Sequence, residues 1–294
     1  FQAPLWAAQD FGLLTKYNIN MDLVMIPGSA RGTQALLGGS THFGQIDGTA
    51  LISAINQGAD LVFIGASLNK FPFSLVTQKN IRRPADLIGK KVGMVSFGGA
   101  HEVSLVLALR EWHIPRQSVI LLASGPAANR LIALSSGALD ATLLAPPETA
   151  EAARLGLPTL ANMTDLKGAA FPMNVIAARR SFVEKNRELV KRFIQAYSEA
   201  TYQFIANKEK STSMYTQRMK QKNPAVVDET YQYFAKSFSS PPRVSHEGMR
   251  LALDMLAQRN PETKLDMNIA KYVDERILDE LEREGFFKRI AAKG

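Results

Sequence analysis

Cysteine is absent from this chain of 294 residues. That removes thiol nucleophiles, disulfides, thiolate zinc sites and iron–sulfur clusters from consideration. It fits an oxidising compartment without requiring one. Histidine is scarce: His42, His101, His113 and His246 are the only four. No two of them stand at metal-ligand spacing, so neither a metal nor a cofactor is expected. No apolar run approaches the roughly 20 residues needed to cross a bilayer, and no secretory leader is recognisable within the chain as given. There is no Gly-x-Ser-x-Gly elbow and no serine–histidine–acid set. The reading is therefore of a protein without catalytic residues.

The formal net charge is +8. Its distribution decides what it means. Residues 1–77 carry three Lys/Arg against four Asp/Glu, residues 78–177 ten against seven, and residues 178–294 22 against 16. The excess lies mostly in the C-terminal part, in mixed-sign stretches such as Lys185 to Glu188 and Asp274 to Arg276. A nucleic-acid reader concentrates its charge in one stripe with interleaved aromatics. This pattern is that of solvated helix faces, and no nucleic-acid partner is expected.

What is present is a repeated strand–turn–helix grammar. Val92 to Val95 is an apolar strand that ends at Ser96. Gly98 and Gly99 follow, and a helix opens at His101 with Val103, Val106 and Leu107 on one face. Glycines let a backbone approach a ligand closely, and a helix start offers unpaired N–H groups. The turn lacks the Lys-Ser/Thr of a phosphate loop and the spacing of a dinucleotide loop. Further strands are expected at 21–26, 43–46, 61–66, 73–77, 118–122, 140–145, 157–160 and 171–178, with helices of about ten residues between them, the mark of an α/β protein. Lys79 to Pro84 reads as a crossing segment, and Phe171 to Ala178 as a second crossing strand. Beyond residue 178 the chain reads as helices only: 189–205 with Val190, Phe193, Ile194, Tyr197 and Phe204 on one stripe, then 226–234, 247–256 and 269–281.

The first part of the chain overlays the second when shifted by 98 residues. Ala35-Leu36 falls on Ala133-Leu134, Gly39 on Gly137, and the strand ending at Ile46 on the strand ending at Leu144. The register holds without a gap from Gly28 through Gly48, so two similar lobes are expected. The strand Val92–Val95 then lacks a counterpart, which would fall before Phe1.

Particular stretches carry a family resemblance. Pro4 to Tyr17 (PLWAAQDFGLLTKY), Asp86 to Gly93 (DLIGKKVG), Leu139 to Glu148 (LDATLLAPPE) and Ser181 to Asn186 (SFVEKN), in that order, resemble the type II periplasmic substrate-binding proteins of ABC transporters. Within them the likeness is to the nitrate/sulfonate/taurine and thiamine-pyrimidine-precursor-like group. The resemblance implies an α/β two-lobe clamshell, each lobe a mainly parallel sheet with flanking helices, joined by two hinge strands. Lobe I would be 1–77 plus 178–294, and lobe II 78–177. It implies a periplasmic or otherwise extracytoplasmic monomer that binds a small polar organic molecule, such as a sulfonate or a pyrimidine-like heterocycle, and docks on a membrane permease. Two alternatives share the fold: a pyrimidine-precursor-synthase-like enzyme, disfavoured by the lack of cysteine, and a ligand-sensing domain. The ligand-binding residues implied are Gln2, Pro4, Asp47, Gly48, Thr49, Ser67 and Asn69 on one side. Ser96, Phe97, Gly98, Gly99, His101, Gly125, Pro147 and Glu148 are on the other, with Phe171 and Asn174 beside the hinge.

Each of these has a plainer use. Asp47 either caps its helix or accepts from a ligand N–H. Glu148 is favoured in a first turn by the helix dipole alone. Phe97 and Phe171 either stack on a flat ligand or pack in the core, the commoner fate of Phe. The expected pocket holds acids and few cations, Lys70 and Arg31 being nearest, which argues mildly against a bare sulfonate or nitrate. The glycine turn gives the first prediction. Gly98→Val or Gly99→Val is expected to abolish ligand binding while the fold survives, as measured by titration calorimetry alongside circular dichroism; retained affinity in both variants removes the turn from the site.

Overall fold

A computed structural model describes residues 1–259, 262 and 264–292. The chain divides into two compact units, Phe1–Asn69 with Pro172–Gly294, and Lys70–Phe171. The first unit opens with α1 (Ala3–Asp10), α2 (Leu13–Lys16), α3 (Ser29–Leu37), β1 (Phe43–Ile46), α4 (Gly48–Asn56) and β2 (Val62–Lys70). The second holds β3 (Ser74–Thr77), β4 (Lys91–Met94), α5 (Ala100–Glu111), β5 (Ile120–Ala123), α6 (Ala127–Ser135), β6 (Ala141–Leu144), α7 (Glu148–Arg154) and β7 (Thr159–Asn162). The chain returns through β8 (Ala170–Ala178) to α8 (Arg180–Lys185), α9 (Arg187–Ala206), α10 (Lys208–Met219), α11 (Pro224–Ser237), α12 (His246–Arg259), α13 (Arg276–Arg283) and α14 (Phe286–Ala291).

The second unit is a five-stranded sheet in the order β5-β4-β6-β3-β7. β4 runs parallel to β5 and β6, whereas β3 runs antiparallel to both β6 and β7. The first unit's sheet is three-stranded, β1-β8-β2, with β1 antiparallel to β8. The second unit's sheet is thus mixed rather than mainly parallel, and the first unit's β1–β8 ladder is antiparallel. The observed units also begin and end before the expected boundaries at 77/78 and 177/178. Ser74–Thr77 forms its ladders with β6 and β7, so it belongs wholly to the second unit. Lys79 to Pro84, expected to cross, is a turn leading into a short 3-10 helix, Pro84–Leu87, within that same unit.

The internal repeat holds residue for residue. Shifting Ser29–Leu37 and Phe43–Ile46 by 98 gives the bounds of α6 and β6, Ala127–Ser135 and Ala141–Leu144. Gly39 and Gly137 take left-handed φ values of 73° and 80° at matching helix ends, a conformation that favours glycine. The strand neighbours of the two copies differ. β6 is flanked by β4 and β3, but β1 has only β8 beside it among the described residues. Residues 21–26, expected as a short buried strand, form no ladder, and Val24 and Met25 are 70% and 61% exposed. A strand without a neighbour has no backbone partners and is not stable by itself.

β2 shows how the C-terminal helices complete the first unit. The Phe63 N–H donates to the Tyr272 carbonyl at 2.8 Å, and the Asp274 N–H donates to the Phe63 carbonyl at 2.8 Å. The Ala66 N–H donates to the Pro242 carbonyl at 2.7 Å, and the Ser239 N–H to the Ser67 carbonyl at 2.9 Å. Loops therefore satisfy and cover the edge of β2. This is why a single helix over 269–281 does not form. Only 269–271 and 276–283 are helical, because the backbone between them bonds to β2.

The stripe on α9 is core as expected. Val190, Phe193, Ile194 and Tyr197 pack with Val62, Ile64 and Ile176 of the sheet and with Ile277, Leu278 and Leu281 of α13. Phe193 stacks on Phe43 at 3.9 Å. On another face of α9, the nearly buried Glu199 (4% exposed) ties α2 to α9. Its oxygens accept from Lys16 Nζ at 2.6 and 2.7 Å, from Tyr17 Oη at 2.6 Å and from Gln203 Nε2 at 3.1 Å.

Burial alone would raise the Glu199 carboxyl, but the Lys16, Tyr17 and Gln203 hydrogen bonds outweigh it and hold it below the ordinary range. A carboxyl depressed on folding adds stability above its unfolded value of about 4.3, and that stability is lost as pH falls through the folded value. Urea unfolding of Glu199→Gln is expected to show a shallower fall in stability over the acid range than the wild type; identical acid slopes would show that this cluster contributes no proton-linked stability.

Candidate functional site

In the unit 70–171, the parallel run of β5, β4 and β6 sets the geometry. Parallel strands end on one edge of a sheet, and a helix starts just beyond each end. α5 begins after Gly99, α6 after Pro126 and α7 after Pro147, and none of these three starts has a side-chain cap. Their first N–H groups are the orphan donors of a helix terminus, on its positive end. α4 in the other unit is built differently, since Asp47 caps it directly.

Beneath these starts lies a group absent from the sequence-based expectations. Arg130, in the first turn of α6, is 2% exposed. Its Nε donates to the Gly125 carbonyl at 3.0 Å, its Nη1 to Thr142 Oγ1 at 3.0 Å and to the Leu143 carbonyl, and its Nη2 lies 3.4 Å from His101 Nε2. No ion pair joins Arg130 to a carboxylate among the described residues. Burial brings the guanidinium down to about 10, with Glu148 opposing, so it stays charged at neutral pH. Burial, with Arg130 beside it, holds the His101 imidazole well below the ordinary histidine range. His101 is therefore neutral at pH 7, and its ring stacks on Phe73 at 4.1 Å. Burial raises the Glu148 carboxyl despite Arg130 and a backbone N–H. Beside Lys70 and Arg31, the cations expected nearest, the structure thus adds a buried arginine at the start of α6. The signal was present in the sequence, since Arg130 stands one turn into the helix that follows Gly125-Pro126.

The glycine turn is partly as expected. Ser96 and Phe97 are exposed, Phe97 at 54%, so the core reading of Phe97 is overturned. The Gly98 N–H donates to Glu102 Oε2 at 2.6 Å. Gly98 has φ +80°, whereas Gly99 has φ −99°. A valine at 98 strains the backbone whatever the ligand does, so Gly99→Val is the clean variant of the pair. Phe171 is fully buried and stacks on Phe71 at 4.4 Å, which is a core role.

In the other unit the implied residues divide into two polar clusters. Asp47 Oδ1 accepts from the Thr49 N–H at 3.1 Å and from its hydroxyl, and Oδ2 accepts from Ser29 Oγ. Asp47 is a helix cap. Gly48 is required by packing, because a Cβ there would lie 2.9 Å from Pro172 Cγ. Ser67, Asn174 and Tyr197 form a buried chain: Asn174 Nδ2 donates to Ser67 Oγ at 3.0 Å, and Ser67 Oγ lies 2.8 Å from Tyr197 Oη. Tyr197 Oη donates to Gln45 Oε1 at 2.8 Å, and Gln45 Nε2 and Asn174 Nδ2 both donate to the Phe1 carbonyl at 3.0 Å. Gln45 and Tyr197 were not anticipated. Tyr197 reads as one more apolar position of the α9 stripe, so its hydroxyl carries no sequence signal. Asn69 holds the C-terminal loop, donating to the Arg243 carbonyl and accepting from the Ser245 N–H, both at 2.8 Å. Gln2 receives the N–H groups of Leu5 and Trp6 on its carbonyl, and Pro4 is buried in the first turn of α1. Among the described residues, no cluster of three or more His, Cys, Asp or Glu is placed to hold a metal ion, and no helix is long and apolar enough to cross a membrane.

The family model described as NMT1/THI5 like matches residues 2–211. The taurine-binding periplasmic protein of Escherichia coli strain K12 is 30% identical over 176 residues, 59% of this chain. The match spans about half of that relative, 54% of its length. Among solved structures, a protein from Bordetella bronchiseptica RB50 has a TM-score of 0.83 at 19% identity, covering 96% of this chain and 93% of its own. The periplasmic aliphatic sulphonate binding protein SsuA from Escherichia coli has a TM-score of 0.76 at 23% identity, covering 93% of this chain and 89% of its own. The alkanesulfonate-binding SsuA of Xanthomonas axonopodis pv. citri, bound to MOPS, has a TM-score of 0.76 at 19% identity, covering 92% and 94%. These structures share the periplasmic-binding-protein fold with the chain. By the match over residues 2–211, the chain belongs to the NMT1/THI5-like family.

Proposed function

We propose that this protein is the solute-binding receptor of an ABC importer, acting as a monomer outside the cytoplasmic membrane, and that its ligand is a small organic anion of the sulfonate class. The observation that carries the reading is Arg130: a guanidinium 2% exposed, in no ion pair with a carboxylate among the described residues, next to three uncapped helix starts. Burying an unpaired charge is costly unless something of opposite sign completes it. An anion at the ends of β4, β5 and β6 does that, accepting from the helix N–H groups while the guanidinium supplies the field. Ser96, Gly98, Gly99, His101, Gly125, Pro147 and Glu148 would line this end of the site. Gln2, Pro4, Thr49, Ser67 and Asn174 are the candidates in the other unit. The names of the relatives, which bind taurine and aliphatic sulfonates, agree with an anionic ligand. Receptors of this kind hand the ligand to a membrane permease, which is the protein partner proposed; no nucleic acid is involved.

A thermal-shift panel of short alkanesulfonates, taurine, nitrate and uncharged pyrimidines tests the reading. Sulfonates are expected to raise Tm, a ligand at about 100 times its Kd adding about 2.7 kcal/mol. A rise with a neutral pyrimidine and none with any sulfonate overturns the ligand class. In a second test, Arg130→Gln is expected to weaken sulfonate binding at least about tenfold, a loss of about 1.4 kcal/mol, in calorimetry on protein shown by circular dichroism to be folded. Unchanged affinity in folded Arg130→Gln removes the arginine from the site.

A further inference from the structure

We propose that the first unit accepts one more strand: an extended apolar segment that lies between β1 and residues 22–25, runs parallel to β1 and is joined at its end to Phe1. The proposal concerns pairing along β1 and does not depend on the identity of the ligand.

The repeat supplies the first observation. At the shift of 98 residues β5 (Ile120–Ala123) falls on residues 22–25, α6 on α3 and β6 on β1. α5 falls on residues 2–13, which contain α1. Within the run from β4 to β6, β4 alone has no counterpart among the described residues. In the second unit β4 lies between β5 and β6 and is parallel to both.

Backbone pairing and burial supply the second observation, which does not use the sequence comparison. β1 bonds to β8 on one side only, and residues 21–26 make no backbone hydrogen bond among the described residues. β6 is buried at all of its positions, whereas β1 is half-buried at all of its own. Val24 and Met25 are exposed. A row of unpaired N–H and C=O groups beside apolar side chains is a template for an added strand.

The third observation selects the segment. The Phe1 carbonyl accepts from Gln45 Nε2 of β1 and from Asn174 Nδ2 of β8, both at 3.0 Å. The entry to α1 is thus tied to the end of β1, where a parallel neighbour of β1 also ends. Polypeptide lying along β1 passes directly into Phe1, and α1 then serves as its crossover to 22–25, as α5 crosses from β4 to β5.

The register follows from β4. Val92 lies opposite Ala141 and Gly93 opposite Thr142, while Lys91–Met94 lie opposite Ile120–Ala123. Carried over by 98, the second and third residues of the added strand lie opposite Phe43 and Gly44, and its residues on the other side lie opposite 22–25. A strand bonded on both flanks is apolar and free of proline.

Residues 91–98 map by the same shift onto the positions directly ahead of Phe1. The octapeptide Lys-Val-Gly-Met-Val-Ser-Phe-Gly, fused there to the 294-residue chain, therefore tests both pairing and register. The fusion is expected to raise Tm by about 5 °C. It is also expected to slow amide hydrogen exchange at 22–25 and 43–46 at least about tenfold. The same fusion with proline in place of its first valine is expected to lose both effects. The free octapeptide, equimolar with the unextended chain, is expected to leave exchange unchanged, because it lacks the effective concentration that the link to Phe1 provides. Unchanged exchange at 22–25 and 43–46 in the fusion overturns the proposal. Equal protection in the proline fusion overturns it too, since a covering tail rather than a paired strand is then responsible. Equal protection by the free peptide overturns the assignment to a segment joined to Phe1.

Discussion

The unit 70–171 is organised around Arg130, a buried guanidinium that makes no ion pair with a carboxylate among the described residues. Arg130 is held by a carbonyl at the Gly125 turn, a hydroxyl on β6 and the β6 backbone, so it joins the start of α6 to the strand that follows it. Thr142, which accepts from the guanidinium, donates in turn to the Gly93 carbonyl of β4 at 2.9 Å. The arginine thereby links both central strands through one hydroxyl. These neutral acceptors satisfy the N–H groups but do not cancel the charge. The same side chain therefore fixes the geometry and keeps a positive charge opposed only in part by Glu148, and the proposed anion site would draw on both.

The two halves of the repeat overlay at 98 residues, yet one pair of helix starts is finished in different ways. α4 has its orphan donors answered by Asp47, and Ser29 and Thr49 answer Asp47 in turn. α7, the corresponding helix, starts from Pro147 with no side-chain cap. At this one helix pair the repeat thus gives one capped terminus and one uncapped one, whereas α3 and α6 both start without a side-chain cap. Capping is a local choice of one residue type, so duplication of the fold does not duplicate the site.

Much of the fold was legible because periodicity and glycine punctuation report backbone geometry directly. α3, β1, α6 and β6 fell where the repeat put them, and the α9 stripe was core. What escaped depended on partners remote in sequence. Residues 21–26 have the composition of a strand, but a strand exists only where a neighbour supplies a ladder. The helix expected over 269–281 breaks because its backbone bonds to Phe63, some two hundred residues earlier in the chain. The sites show the same division. Asp47 was identified with both of its uses open, and its three hydrogen bonds show the cap. Asn69 has the chemistry of a ligand contact, and its amide also holds the 243–245 loop through one donated and one accepted bond.

Arg130 and Phe97 show that exposure, more than residue type, separates a site from its surroundings. An arginine in a helix reads as solvated surface and a phenylalanine in a strand–helix connection reads as core, and each of these general preferences is sound. Here both are reversed, the charge inside and the ring outside, within one small region at the ends of three parallel strands. Each reversal costs stability when considered alone: a buried charge loses hydration, and an exposed ring forgoes burial. The charge inside is the exception the proposed anion site relies on, because an anion would return an opposite charge to the guanidinium.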